Sequence, residues 1–139
     1  LPGNVALALE LKTDRFLEDK ICLQLADELN KLGIRDRTIV ISFSKERVRS
    51  VHKVAQDIPA GLISMSAIIP DAQMQILGPF WPLLFLNPFY MRQARKYGQI
   101  VCPLDPTPNK RLNWYKNLQV DAILTDNPQT TCKLIKKYD

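Results

Sequence analysis

The feature that most constrains this chain is a repeated switch between two hydrophobic periods. Residues 5–12 read V-A-L-A-L-E-L-K. On a strand, Val5, Leu7, Leu9 and Leu11 share one face, while Ala6, Ala8, Glu10 and Lys12 share the other. The first face is large and aliphatic, suited to packing under helices. The second is small and then charged, which suggests a crowded interior opening into a polar site at the C-terminal end of the strand. Phe16, Leu17, Ile21, Leu25, Leu29 and Leu32 then recur at helical spacing, with Asp14 as the expected cap and Gly33 as the stop.

The rhythm continues. Residues 38–43, T-I-V-I-S-F, form a second expected strand, and Ser44 is placed to cap a helix carrying Val48, Val51, Val54 and Ala55. Residues 61–65 are a third strand and 67–87 a long irregular stretch. Residues 89–97 return to helix, ending at Gly98. Residues 99–103 are a fourth strand, 104–109 a Pro-rich loop, 109–117 a helix, and 120–125 a fifth strand. Pro128 opens the last helix at a position proline favours. Alternation of this kind means parallel strands joined by right-handed crossovers, an α/β fold. At 139 residues the chain has room for one domain, spanning 1–139. No Gly-rich dinucleotide fingerprint or P-loop follows any strand.

The net charge is +5, and the basic residues are scattered through helical stretches such as Lys45-Glu46-Arg47 and Arg92-Gln93-Ala94-Arg95-Lys96. Scattered charge of this kind reads as solvated helix faces and argues against nucleic acid. Attraction of an anionic substrate or membrane surface is the other reading. Cys22, Cys102 and Cys132 are odd in number and widely spaced, which supports neither a disulfide framework nor a zinc site and leaves buried free thiols as the expectation. The most apolar run, 76–89, holds Pro79, Pro82 and Pro88 and falls short of the about 20 residues a membrane span needs. The expected location is cytoplasmic or membrane-associated rather than secreted.

Among residues that could carry chemistry, Glu10 and Lys12 form the sharpest pair. Two apart on a strand, they point the same way; a carboxylate can ligate a hard divalent cation, and an ammonium can hold a phosphate oxygen. The plain alternative is an ion pair at a strand end. His52, the single histidine, lies among Val48, Val51 and Val54 on a helix and reads as a surface or core residue. Asp121 and Asp126 flank the expected last strand and read as turn and cap residues. Asp105 lies in the Pro-rich loop after the expected fourth strand. Phe80, Trp81, Phe85, Phe89 and Tyr90 cover a core edge, line an apolar pocket or touch a membrane.

Taken together, four segments resemble the glycerophosphodiester phosphodiesterase family. L-A-L-E-L-K at 7–12 is similar to its strand ending in I-E-x-K. D-R-T-I-V-I-S-F-S at 36–44 is similar to its strand ending in S-F. L-N-P-F-Y-M-R-Q-A-R-K-Y-G-Q-I-V at 86–101 resembles its helix, Gly and strand before a W-T-x-N segment. V-D-A-I-L-T-D-N-P at 120–128 resembles its terminal G-V-D-G-I-x-T-D-x-P.

The resemblance implies a (β/α)₈ TIM-type barrel with its site at the C-terminal ends of the strands. It also implies hydrolysis of glycerophosphodiesters to glycerol 3-phosphate and an alcohol, with a divalent cation, Ca²⁺ or Mg²⁺. Glu10 matches the family's metal glutamate and Lys12 the lysine near the phosphate. On this reading the chain supplies about strands four to eight with their helices. The His-Arg-Gly motif, the Glu-x-Asp pair and the second His, which bring the general acid, the general base and further ligands, fall outside it. The chain opens at Leu1 rather than Met and is expected to be a piece of a longer protein, inactive and a poor cation binder alone. Leu104 stands where the family has a substrate-lining tryptophan, so a longer acyl-bearing diester such as a lysophospholipid enters as a substrate, with membrane association beside it. The rival expectations are a non-catalytic barrel module and a small α/β domain that binds an anion.

Overall fold

Which face of each strand is covered follows from the side-chain period and the register. The structure, a computed structural model, describes residues 5–137; positions 1–4 and 138–139 of the expected 1–139 domain lie outside the described residues. Among the described residues five strands occur: β1 Leu7–Glu10, β2 Thr38–Ser42, β3 Ala60–Ser64, β4 Ile76–Pro79 and β5 Ile100–Val101, ordered β1-β2-β3-β4-β5 in one sheet. Between and after them come helices α1 Asp19–Lys31, α2 Lys45–Val54, α3 Trp81–Leu86, α4 Tyr90–Lys96, α5 Leu112–Leu118 and α6 Pro128–Ile135. This is the α/β architecture expected from the alternating periods. The chain divides into two compact units, Leu1–Ile63 with Met74–Ile76, and Ser64–Gln73 with Leu77–Asp139.

In the first unit β1 and β2 pair in parallel, Leu7 opposite Thr38 and Glu10 opposite Ile41. β2 and β3 pair with Ile41 opposite Gly61. Leu11, Thr38, Val40 and Ser42 are buried, on the face covered by α1 and α2. Those helices add Cys22, Ala26, Leu29, Val48 and Val51 to the core. Ala8 and Glu10 stay exposed on the opposite face. Gly61 is required there by close approach: a Cβ would meet Ile41 Cγ2 at 2.9 Å and Ile76 Cβ at 3.1 Å.

Helix ends repeat one device. After α1, the Gly33 amide donates to the Asn30 carbonyl and Ile34 to Leu29. After α4, Gly98 donates to Arg95 and Gln99 to Ala94. Both glycines hold positive φ, the left-handed C′ position of this cap. After α5 the same pair of bonds forms, Gln119 to Lys116 and Val120 to Tyr115, yet Gln119 occupies the left-handed position with φ 57°.

Four expectations are corrected. Asp14 does not cap α1; it opens a 3₁₀ turn, Asp14–Leu17, and its carboxylate instead takes Arg47 Nη2 at 2.6 Å. The stretch 67–87 is not irregular throughout, because it contains β4 and α3. β4 is buried on both faces, so it shows no alternation, and Gly78-Pro79 masked it as a turn. Residues 120–125 do not form a strand: the Asp121 and Ala122 amides both reach the Val101 carbonyl, and the Asp121 carboxylate takes the Val101 amide at 2.8 Å, replacing a regular ladder. The thiols are not uniformly buried: Cys22 is buried, Cys102 half-buried and Cys132 exposed.

Candidate functional site

In the first unit the chain leaving β1 is fixed by bonds to its buried residue. Leu11 donates its amide to the Ile41 carbonyl at 2.8 Å. The Leu11 carbonyl accepts from Ser42 Oγ at 2.7 Å and from Arg47 Nη1 at 3.3 Å. Glu10 and Lys12 therefore project from an anchored backbone. Lys12 Nζ lies 3.4 Å from Glu10 Oε2, with the lysine side chain 72% and the glutamate 35% exposed. An exposed pair of this kind contributes about 0–1 kcal/mol to stability, so holding the fold together is not what it does best.

A cation test follows from the donor set. Ca²⁺ takes six to eight oxygens and Mg²⁺ six. Glu10 offers one carboxylate, and among the described residues no group of three or more His, Cys, Asp or Glu is placed to hold a metal ion. Glu10 suits one corner of a hard-cation site, but the described residues do not build that site by themselves. His52, on α2, is half-buried, and its Nδ1 has no hydrogen-bond partner.

In the second unit the residues that follow the strands meet in a cleft of about 400 Å³. Met65 follows β3, Phe80 follows β4, Leu104 follows β5, and Leu124, Thr125 and Asp126 end the extended segment after α5. Leu104 is held by its backbone, its amide donating to the Pro79 carbonyl at 2.9 Å and its carbonyl accepting from Trp81 at 3.1 Å. Its side chain presents an aliphatic wall.

Asp105 also borders the cleft, but its carboxylate is fully committed. It accepts from Arg111 Nη1 at 2.9 Å, from the Tyr115 hydroxyl at 2.6 Å and from the Thr107 amide at 2.8 Å. The Arg111 guanidinium lies 3.6 Å above the Trp81 ring. Asp105 therefore ties the Pro-rich loop to α5. Burial first, and then the bond to Asp105, pushes the Tyr115 phenol up. Burial, with Asp121 behind it, pushes the Cys102 thiol up to about 11. Asp121 serves the Val101 amide. Asp126 does not cap α6; that bond comes from Asn127, whose Oδ1 accepts from the Thr130 amide at 3.0 Å. Asp126 stands exposed on the cleft wall. Of the aromatic group, Tyr90 is buried, Trp81 stacks with Arg111, Phe80 lines the cleft, and Phe85 and Phe89 are exposed. The pocket-lining alternative for the aromatic group thus holds for Phe80, while Met65 and Leu124 were missed as cleft residues; their signal was position, at the end of an extended run.

No protein-family model matches the chain. A curated glycerophosphodiester phosphodiesterase of Caldanaerobacter subterraneus subsp. tengcongensis is 24% identical over 136 residues, covering 93% of this chain and 55% of that protein. The crystal structure of a glycerophosphodiester phosphodiesterase from Parabacteroides distasonis superposes with a TM-score of 0.83 at 16% identity, over 98% of this chain and 59% of that one. A phosphodiesterase of Oleispira antarctica, solved with its product sn-glycerol-3-phosphate, superposes with a TM-score of 0.73 at 20% identity, over 95% and 56%. The chain spans about half the length of the relatives it matches. Its fold is that of part of a TIM-type barrel, and the proteins it matches, as a portion of their greater length, are glycerophosphodiester phosphodiesterases.

Proposed function

We propose that this chain is part of a metal-dependent phosphodiesterase that hydrolyses glycerophosphodiesters to glycerol 3-phosphate and an alcohol. The observation that carries the reading is the anchored Glu10–Lys12 pair on the uncovered face of β1, at the C-terminal end of a strand in a barrel-type sheet, where barrel enzymes keep their chemistry. In the intact enzyme Glu10 gives a carboxylate to a Ca²⁺ or Mg²⁺ site completed by residues beyond this chain. The cation, when bound, stabilises charge on the phosphoryl group. Lys12 holds a phosphoryl oxygen, and histidines beyond this chain supply the general acid and base. Leu104, in place of an aromatic side chain, widens the second unit's cleft toward acyl-bearing diesters such as lysophospholipids.

The test compares this 139-residue chain with a version extended upstream. Both are assayed on glycerophosphocholine and lysophosphatidylcholine with added Ca²⁺ or Mg²⁺. The expected result is turnover by the extended protein only, lost together with cation affinity in Glu10→Gln. Turnover by the short chain, or an extended Glu10→Gln protein with unchanged metal affinity and turnover, overturns the assignment. A second reading, a non-catalytic barrel module, draws on the single carboxylate at the pair and the lack of a metal cluster among the described residues. An extended protein that binds but does not turn over either diester supports it.

A further inference from the structure

The second unit displays apolar side chains that neither the cleft nor the core uses. Ile69 is 68% exposed, Phe85 67%, Leu86 67%, Phe89 60% and Ile68 47%. They come from two segments held together by one side chain. Asn87, between α3 and α4, donates from Nδ2 to the Ile68 carbonyl at 2.9 Å and accepts the Phe89 amide on Oδ1 at 3.0 Å. The Phe85 ring rests on Trp114, centroids 4.8 Å apart. The rim is thus prebuilt by hydrogen bonds and stacking. Met65, exposed and on the cleft wall, extends the same segment of chain into the cleft.

The charge on the α3–α4 side of the rim is basic. Residues 72–104 contain Arg92, Arg95 and Lys96 and no acidic side chain. On α4, Arg92 and Lys96 stand three and seven residues beyond Phe89, on one exposed face, while Tyr90, Met91 and Ala94 are buried. The acid that precedes this stretch, Asp71, takes the Gln73 amide on its Oδ1 at 3.1 Å. Bulky apolar tips flanked by cations are the chemistry of a surface that lies in the boundary of an anionic bilayer, the tips entering the acyl region and the cations meeting headgroup phosphates and carboxylates.

We propose that the second unit docks on an anionic lipid surface through Ile68, Ile69, Phe85, Leu86 and Phe89, with Arg92 and Lys96 selecting for negative headgroups. Vesicle docking needs no turnover, so it and the hydrolytic reading can fail separately.

The chain carries its own reporters: its two tryptophans, Trp81 and Trp114, both lie in this unit, and Trp114 touches Phe85. The experiment mixes the 139-residue chain with vesicles of brominated phosphatidylcholine, with and without phosphatidylserine, and reads tryptophan quenching together with vesicle flotation. Quenching and flotation are expected with phosphatidylserine present, weakened several-fold by high salt and in pure phosphatidylcholine. Phe85→Ser/Leu86→Ser/Phe89→Ser should lower flotation by about tenfold or more, and Arg92→Ala/Lys96→Ala should remove the preference for phosphatidylserine. The control pair Leu23→Ser/Leu32→Ser, exposed apolar residues of the first unit, should float like the unaltered chain. All substituted positions are exposed, so far-ultraviolet circular dichroism should match across the set. The proposal is overturned by absence of vesicle association, or by association that survives the triple substitution or falls equally in the control pair. It is also overturned by sedimentation showing a dimer that the triple substitution dissociates, which would make a second copy the occupant.

Discussion

The Tyr115 hydroxyl donates to Asp105 Oδ2 across 2.6 Å, onto a carboxylate whose side chain has no solvent exposure. The same carboxylate faces Arg111, which is itself only 23% exposed. Three donors on one buried acid make this network the clamp of the Pro-rich loop that carries Leu104.

Breaking that clamp from its centre should be costly. Asp105→Ala leaves Tyr115 without its acceptor and Arg111 with only the Thr107 oxygens and no carboxylate, and removal of one partner of a buried charge pair costs about 3–5 kcal/mol. Tyr115→Phe removes one donor and leaves Arg111 in place, so about 1–2 kcal/mol is expected. Urea unfolding followed by tryptophan emission measures both, since Trp81 and Trp114 border the network. Equal losses in the two variants would mean that Arg111 adds nothing to the clamp.

The buried acids also set how stability responds to alkali. The Cys102 thiol is held up to about 11 from its usual 9.0, chiefly by burial. The Tyr90 phenol is pushed up to about 12 from 10.0, again chiefly by burial, and Tyr115 is raised as well. In each case the folded state keeps a proton that the unfolded chain has released, so stability must fall as pH rises. The fall begins near pH 9 with Cys102 and steepens above 10 with the two phenols. Denaturant midpoints between pH 8 and 11 should drop progressively. Cys102→Ala should make that curve shallower between about pH 9 and 11, while the further loss from the two phenols above pH 10 remains.

Much of this fold was legible because it rests on period. Leu11, Val40, Val48 and Val51 lie in the core where alternation and helical spacing put them, and Ser44 caps α2 through its bond to the Arg47 amide. What escaped was local. β4 is four residues long and buried throughout, so neither a period nor a polar face marks it. With β4 unseen, Phe80 could not be recognised as a residue directly following a strand. Asp105 looked like a loop acid at the catalytic end because its partners, Arg111 just before α5 and Tyr115 on it, sit six and ten residues later on a segment it had no visible reason to meet. Asp126 and Asn127 are adjacent, and only the observed bond to Thr130 tells which of them caps α6.

Glu10 and Lys12 offer a clean separation of stability from function. Their contact is long, at 3.4 Å, and the lysine is largely in water. Glu10→Gln and Lys12→Ala should each shift folding stability by less than about 0.5 kcal/mol, read from the urea midpoint. Any loss of activity these substitutions cause in an extended protein then belongs to the site and not to the fold. A stability loss above 1–2 kcal/mol for either would instead make the pair a structural fastener of β1.

Gln119 holds a conformation that its neighbours in the fold give to glycine. Gly33 and Gly98 occupy the left-handed position at the ends of α1 and α4, and Gln119 does so after α5 with φ 57°. The bonds it completes, to Lys116 and from Val120 to Tyr115, match those at the other two ends. A side chain with a Cβ in this region costs roughly 1 kcal/mol, and the exposed glutamine has little packing to lose. Gln119→Gly should therefore raise stability by about 0.5–1 kcal/mol, equivalent to a midpoint increase of roughly 2–4 °C in a thermal melt. Gln119→Ala keeps the Cβ and should leave the melt close to that of the unaltered chain. A gain in the alanine variant equal to that in glycine would place the benefit in the side chain removed. A gain confined to glycine places the strain in the backbone that carries the chain from α5 toward the cleft.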